Sequence, residues 1–460
     1  MSKATIKEIA VADLRPNPKN ARTHSKKQIG QIADSIERFG FNSPVIADEQ
    51  LNVLAGHGRL EAAKRLKLKT VPTVVVSDLT AAERRAYSLA DNKVAENAGW
   101  DRPTLAIELN ELAPLLSAEG LDIGITGFHQ SEIDSLMGDH VDAEQDPADE
   151  IPVSAGPVIT QLGDFWRLGR HRLRCGNALN PADMQALMQG ERAAMVFTDP
   201  PYNVRVSSIQ GRGKIKHVEF VVGSGEMSPA QFTKFLTDAA SNAVNHSKNG
   251  AIHFVCMDWK HMGEMLAAGQ SVYGELKNLI VWAKTNAGQG TFYRSQHELI
   301  FAWKVGDEAH TNNFELGQFG RRRSNLWTYA GANAFRAGRM ADLAAHPTVK
   351  PVAMVADAMR DCSSRGAIIL DPFMGSGTTI LAAERVGRRA YGLELDPRYV
   401  DTAVRRWQNF AKRDAVLERT GETFDEREML VRDGGDPPAS TSSPSPTLGS
   451  PARPWMVKRR

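Results

Sequence analysis

Residues 366–384 read GAIILDPFMGSGTTILAAE. An apolar run (Ala367–Leu370) enters Asp371-Pro372-Phe373, then Gly375-Ser376-Gly377, and a helix-patterned stretch opens at about Thr378. This is the order of a buried strand, a glycine turn and a helix. Glycines at such a turn let a ligand approach the backbone at the positive end of the helix. The following strand pattern, Arg389–Leu395, carries Glu394 near its end, 23 residues after Asp371. In Rossmann-like sites an acid at that tip holds ribose hydroxyls. The third glycine of the dinucleotide fingerprint is absent, since Ile380 stands there, and no GK[ST] follows. The turn therefore suits a nucleoside cofactor without phosphates better than NAD or ATP.

Upstream, residues 197–204 read FTDPPYNV and end the apolar run Ala193–Phe197. Tandem prolines cannot donate to a sheet ladder and fix their own φ. Asp199 is thus expected on stiff backbone near the carboxyl end of a strand, where open α/β sheets bind ligands. The competing reading is a strand terminator with a solvated acid. Further strand patterns at Ala251–Met257, Leu279–Ala283 and Leu299–Trp303 alternate with helical ones, as in FTKFLTDAASNAV and PVAMVADAMRDC. Such alternation predicts an α/β fold with a mostly parallel sheet and helices on both faces.

The 460 residues allow two or three domains. There is no apolar run of membrane-spanning length and no apolar N-terminal leader pattern. Cys175, Cys256 and Cys362 are far apart, which excludes a disulfide framework, argues against a metal site and fits a reducing cytoplasm. A net charge of +2 does not by itself announce a nucleic-acid binder, so local clusters must decide. The acidic, then proline-rich stretch 141–156 reads as a linker. Residues 416–460 read as a tail, Pro/Ser-rich from Gly434 onward.

DPPY followed later by DPFMGSGTT resembles the amino-group DNA methyltransferases that use S-adenosyl-L-methionine, in the permuted motif order of the beta class. GDFWRLGRHRLRCGNAL (163–179) is similar to that class's opening hairpin. VWAKTNAGQGTFYRSQHELIFAWK (281–304) is similar to its middle strands, and HPTVKP (346–351) to the stretch before the glycine motif. The resemblance implies a Rossmann-like methyltransferase domain over 157–415, acting on duplex DNA. It implies that Phe373, Gly375, Gly377 and Thr378 line the cofactor pocket, with Asp371 near the methionine moiety and Glu394 on the ribose. Lys350, Thr348 and His346 are implied cofactor contacts. Asp396 is expected to cap the next turn.

Chemistry fits this assignment. An adenine amine is a poor nucleophile because its lone pair is delocalised. Asp199 and the carbonyl of Pro200 can accept its two hydrogens, held rigid by Pro200 and Pro201. Tyr202 can stack on the extruded base. Methylation at a cytosine ring carbon needs a cysteine nucleophile, and none stands beside a proline-rich turn. DPPY leans toward adenine in the resembled class; the cytosine amine is the close alternative. Arg321, Arg322, Arg323 and Arg336, with Trp327 and Tyr329, fall in the expected target-recognition region at about 305–345. Arg205, Arg212 and Lys214 follow DPPY; both clusters are expected to meet DNA.

Residues 1–100, with LRPNPKN, QIGQIADSIERFG and VLAGHGRLEAAKRL, resemble the small α+β N-terminal domain of ParB-type partition proteins, a fold shared with sulfiredoxins. Gly56, His57 and Arg59 occupy that family's nucleotide box, although Leu60 replaces its second arginine. The domain is expected either to bind a nucleotide or simply to hold DNA or a partner. Residues 101–140 read as a short helical extension. Three functions compete: a DNA adenine methyltransferase, a nucleotide-gated DNA clamp with an inert C-terminal region, and a methyltransferase for RNA or protein. The sequence leaves dimerisation open.

Overall fold

The computed structural model describes residues 6–18, 20–136, 146–151, 156–204, 225–285, 292–314, 323–331 and 349–434. At the N-terminus, β1 (Ile6–Ala10), β2 (Val45–Asp48), β3 (Val53–Ala55) and β4 (Thr70–Val76) form a sheet in the order β1-β4-β2-β3. Helices α1 (Lys26–Phe39) and α2 (His57–Arg65) pack together, and α3 (Ala81–Glu96) follows. Val45, Val53, Leu60 and Val71 form the buried centre of this unit. The extension is α4 (Arg102–Ala118) and α5 (Gln130–Leu136), which share a small core of Leu109, Ile123 and Ile133.

The C-terminal unit is a ten-stranded sheet. Its strands are β5 (Phe165–Leu168), β6 (His171–Cys175), β7 (Ala193–Thr198), β8 (Ser247–Met257), β9 (Glu275–Lys284), β10 (His297–Lys304), β11 (Leu326–Tyr329), β12 (Ile368–Asp371), β13 (Arg389–Glu394) and β14 (Val416–Leu417). Helices α6 (Pro181–Met188), α7 (Pro229–Asn245), α8 (Met262–Val272), α9 (Val352–Cys362), α10 (Thr378–Val386), α11 (Pro397–Ala411) and α12 (Phe424–Arg432) complete it. The order is β11-β9-β10-β8-β7-β12-β13-β6-β5-β14.

The sheet is mixed, with five of its nine pairings parallel. It is parallel from β8 to β6 and antiparallel at β8-β10-β9 and β6-β5-β14, with β11 parallel to β9. Connections explain this: β5 and β6 are joined by a tight turn with Gly169 at φ +59°, whereas the parallel strands are joined through helices. The central strands β7 and β12, and β8 from Ala251 onward, are nearly continuous apolar runs, as double-sided burial requires.

Two boundaries differ from the sequence reading. Within 141–156, residues Asp146–Asp149 are not solvated chain but a docked 3-10 turn. Asp146 forms a bidentate ion pair with Arg385, Ala148 is buried, and Asp149 accepts from the Val352 amide at 2.8 Å. Residues 416–434 also fold. Thr423 and Glu426 form a capping box, and Phe424 is fully buried with its ring 5.2 Å from Trp166. The extension is fixed too: Arg388 donates twice to Asp134 at 2.8 Å, with both side chains buried. Loss of either partner strands a buried charge, at roughly 3–5 kcal/mol.

Candidate active site

β7 and β12 are neighbours, with Ile369 opposite Met195 and Leu370 opposite Val196. Their carboxyl ends therefore lie side by side, and the two motifs leave the sheet together. The Asp371 carboxylate ties them. It accepts from Thr198 Oγ1 at 2.9 Å, Thr379 Oγ1 at 2.6 Å and the Phe373 amide at 3.1 Å. After DPPY the chain turns at Asn203, in the left-handed region at φ 54°. The Asn203 side chain clasps the Met227 backbone, accepting from its amide and donating to its carbonyl.

Asp199 faces a cluster of charge. Lys350 Nζ lies 2.5 Å from Asp199 Oδ2 and 3.1 Å from Glu298 Oε2. The Tyr202 hydroxyl is 2.6 Å from Asp199 Oδ1 and 3.2 Å from Glu298 Oε2. Lys284 closes the set at 2.5 Å from Glu298 Oε1. Burial raises the Asp199 carboxyl, an effect opposed by Lys350 and reinforced by Glu298. Burial also acts on Glu298, but Lys350 and Lys284 overcome it and hold that acid at about 2. Burial would lower Lys350, yet Asp199 and Glu298 keep it raised and charged.

Asp199, Pro200, Pro201 and Tyr202 line a cavity of about 230 Å³ together with Lys350, Asp371, Phe373, Gly375, Thr378 and Glu394. The two motifs thus share one pocket. Its far wall is Glu394, whose carboxylate accepts from the amides of Gly375 and Asp396, each at 2.8 Å. Burial pushes Glu394 up to about 7 and Asp371 up to about 6. Gly375, at φ +53°, has open space where a side chain would stand. Gly377 serves a different purpose from ligand approach. It sits at φ +87°, and a Cβ there would lie 2.7 Å from the Ala403 Cβ on α11. Asp396 caps α11 by accepting from the Arg398 amide.

The remaining expectations divide. His346, Thr348, Arg205, Arg212, Lys214, Arg321, Arg322 and Arg336 lie outside the described residues. Arg323 is not free for a phosphate, which corrects the sequence reading. Its Nε donates to Asp361 at 2.9 Å, and its guanidinium lies 4.8 Å from the Trp327 ring centroid. Trp327 and Tyr329 are buried in β11, and the Tyr329 hydroxyl donates to Asp357. In the N-terminal unit, Gly56 adopts φ +92° at the head of α2, and the Asn17 amide donates to His57 Nε2 at 3.2 Å. Arg59 Nε is buried without a hydrogen-bond partner among the described residues. Sequence reasoning missed Glu298 and Lys284. The available signal was an acid opening the otherwise apolar strand HELIFAWK.

The raised pKa of Glu394 gives a signed expectation. Hydroxyl donors favour the carboxylate, so a ribose bound there displaces the proton that burial retains. Adenosine affinity should rise as pH climbs from about 5 through 7 and then level off, with proton release, in the pH range where the folded acid titrates. Calorimetry in buffers of different ionisation enthalpy measures this. Equal affinity at all pH values, or the same profile in Glu394→Gln, refutes the assignment.

Comparison with known proteins supplies the family. The model described as DNA methylase, of N6/N4 type, matches residues 193–405. The ParB N-terminal domain matches 1–93, and the ParB-methyltransferase HTH domain matches 103–162. The ParB-like nuclease domain-containing protein YnaK of Escherichia coli (strain K12) is 48% identical over 68 residues, covering 15% of this chain and 78% of YnaK. The putative methylase YubD of the same strain is 25% identical over 216 residues, covering 47% of this chain and 82% of YubD. The M1.HpyAVI–SAM crystal structure aligns at a TM-score of 0.35 and 17% identity, covering 51% of this chain and 98% of that one. With the motif strands adjacent and the family profile spanning them, residues 193–405 form a DNA methylase region of N6/N4 type behind a ParB-type N-terminal domain.

Proposed function

We propose that this chain methylates the exocyclic amine of adenine in duplex DNA, using S-adenosyl-L-methionine, on a base extruded from the helix. The observation that carries the reading is the single cavity that joins Asp199 to the glycine turn and Glu394. The residues fit this cofactor. Glu394 offers a carboxylate for ribose hydroxyls, Phe373 offers an aromatic wall 5.8 Å from Phe235, and the turn lacks a phosphate cradle. When bound, the cofactor supplies a methyl group already activated on a sulfonium.

The protein's part is to hold and polarise the amine. Asp199 and the Pro200 carbonyl accept its two hydrogens, which draws the nitrogen toward tetrahedral geometry and frees its lone pair. The low-dielectric pocket strengthens those bonds. Tyr202 forms a stacking face worth about 1–3 kcal/mol, against an unstacking cost of a few kcal/mol. The amine loses a proton as the methyl group is gained, and Asp199, raised by burial, stands beside it as acceptor.

Asp199→Ala should retain cofactor binding and lose methyl transfer by on the order of 10²-fold or more. Labelled S-adenosyl-L-methionine offered with DNA, RNA or protein, followed by nucleoside analysis of the product, separates the readings. Label appearing as N4-methylcytosine, in RNA or in protein replaces adenine in DNA as the target, and near-normal turnover by Asp199→Ala removes the mechanism.

Arg321, Arg322, Arg336 and the Arg205, Arg212 and Lys214 group remain assigned to DNA on their basic sequence beside the site motifs. Replacing Arg321 and Arg322 by alanine should shallow the log–log salt dependence of duplex binding by about 2, near 0.9 for each phosphate no longer neutralised. An unchanged slope withdraws them. For the N-terminal domain, the buried Arg59 Nε, without a partner among the described residues, favours a nucleotide over a purely structural role. Filter binding with labelled nucleoside triphosphates tests this: retention by the wild type and loss in Arg59→Ala support it, and no retention by the wild type ends it.

A further inference from the structure

We propose that Glu298 is a positioning residue: it takes over the Lys350 ammonium and the Tyr202 hydroxyl proton when the target amine reaches Asp199. This rests on the reading of Asp199 as the amine's acceptor. In the structure each Asp199 oxygen already accepts one short bond, Oδ2 from Lys350 at 2.5 Å and Oδ1 from Tyr202 at 2.6 Å. An incoming amine competes with one of these donors. Pulling an ammonium away from a buried carboxylate strands a charge unless another acceptor stands ready.

Glu298 is that acceptor. Its Oε2 lies 3.1 Å from Lys350 Nζ and 3.2 Å from the Tyr202 hydroxyl. The hydroxyl has one proton to donate, so it serves Asp199 or Glu298 but not both. Lys284, 2.5 Å from Oε1, keeps the Glu298 carboxylate from turning toward anything else. Two acids and two lysines balance within the cluster. Passing Lys350 from Asp199 to Glu298 therefore moves no net charge and requires no proton transfer. Among the described residues the adjoining strands contribute only Cys256, raised and neutral, and Asp371, which Thr198 and Thr379 already hold. Lys350 thus occupies the amine's place until the base arrives, and Glu298 makes its departure cheap.

The wild type's own target site, found by sequencing methylated DNA, provides the probe. Duplexes carry either adenine or purine there, the latter lacking the 6-amine, and binding is measured without cofactor. The wild type should prefer adenine by about tenfold, the range of a hydrogen bond to a charged group. Glu298→Gln should erase that preference and lower kcat by at least about tenfold, with the cofactor KM changed by less than about threefold. It should also move the acid limb of kcat/KM to lower pH, because a neighbour that raises Asp199 is gone. Glu298→Asp should restore part of the preference. In a Lys350→Met background, adding Glu298→Gln should cost little, since no ammonium remains to be received.

Wild-type base preference and kcat in Glu298→Gln overturn the proposal. So does an equal loss from Glu298→Gln with and without Lys350. If Glu298→Gln alone fails to bind cofactor, the comparison within the Lys350→Met background decides. A wild type that places no label in DNA refutes the underlying methylation reading instead, and that result is separate from any outcome at Glu298.

Discussion

The Asp371 carboxylate is the point on which this site is built. It receives Thr198 from the end of β7, Thr379 from the first turn of α10 and an amide from its own turn. Thr198 and Asp371 are 173 residues apart in the chain. Their bond converts two separate sequence motifs into one rim. With all its partners protein-bound and its surface almost wholly covered, Asp371 works as a clasp between motifs more than as a ligand group. The adjacency of β7 and β12 places the clasp. The glycine turn then follows, because Gly377 lets α10 approach α11 at a distance no side chain would allow.

Around that clasp, burial raises every acid, and the nearby charges decide where each one ends. Among the described residues no cation offsets the burial of Glu394 and Asp371, and both are pushed up toward neutrality. Glu298, buried as deeply, is held ionised by two lysines. One pocket therefore holds an acid pushed toward neutrality at Glu394 and a cluster of two acids and two lysines around Asp199. Environments that push like groups apart in this way are what assign roles to them.

Much of this was legible in the sequence because local pattern and tertiary role coincide. A strand, Asp371, the glycine turn, a helix and Glu394 form one contiguous unit, and the apolar run before Asp199 predicts its position at a strand end. What escaped depends on partners distant in sequence. Glu298 acquires meaning only from Lys350 and Tyr202, which other elements bring to it. Arg323, Trp327 and Tyr329 look like a recognition surface when read along the chain. β11 instead pairs with β9 and buries their faces against Phe254, Asp357 and Asp361. Asp146 and Phe424 sit in stretches whose composition suggests solvated chain, and their partners Arg385 and Trp166 lie far off in the sequence.

The docked turn at Asp146–Asp149 bears on where this protein can be divided. Asp149 holds the amide that opens α9, immediately after Lys350 and Pro351, and the Ala148 carbonyl receives Arg406. The same Arg406 grips Ser376 in the glycine turn. Through Asp134, the grip extends back to α5. The catalytic body therefore begins near residue 130, well before its first strand. A chimera that exchanged the N-terminal cassette at the proline-rich stretch would sever the fasteners of the glycine turn and of α9. Recombination that preserves the enzyme must cut upstream of α4, whose Leu109 shares a core with Ile133 of α5, or supply in the new front end equivalents of Asp134, Asp146 and the Ala148 carbonyl for Arg365, Arg385, Arg388 and Arg406.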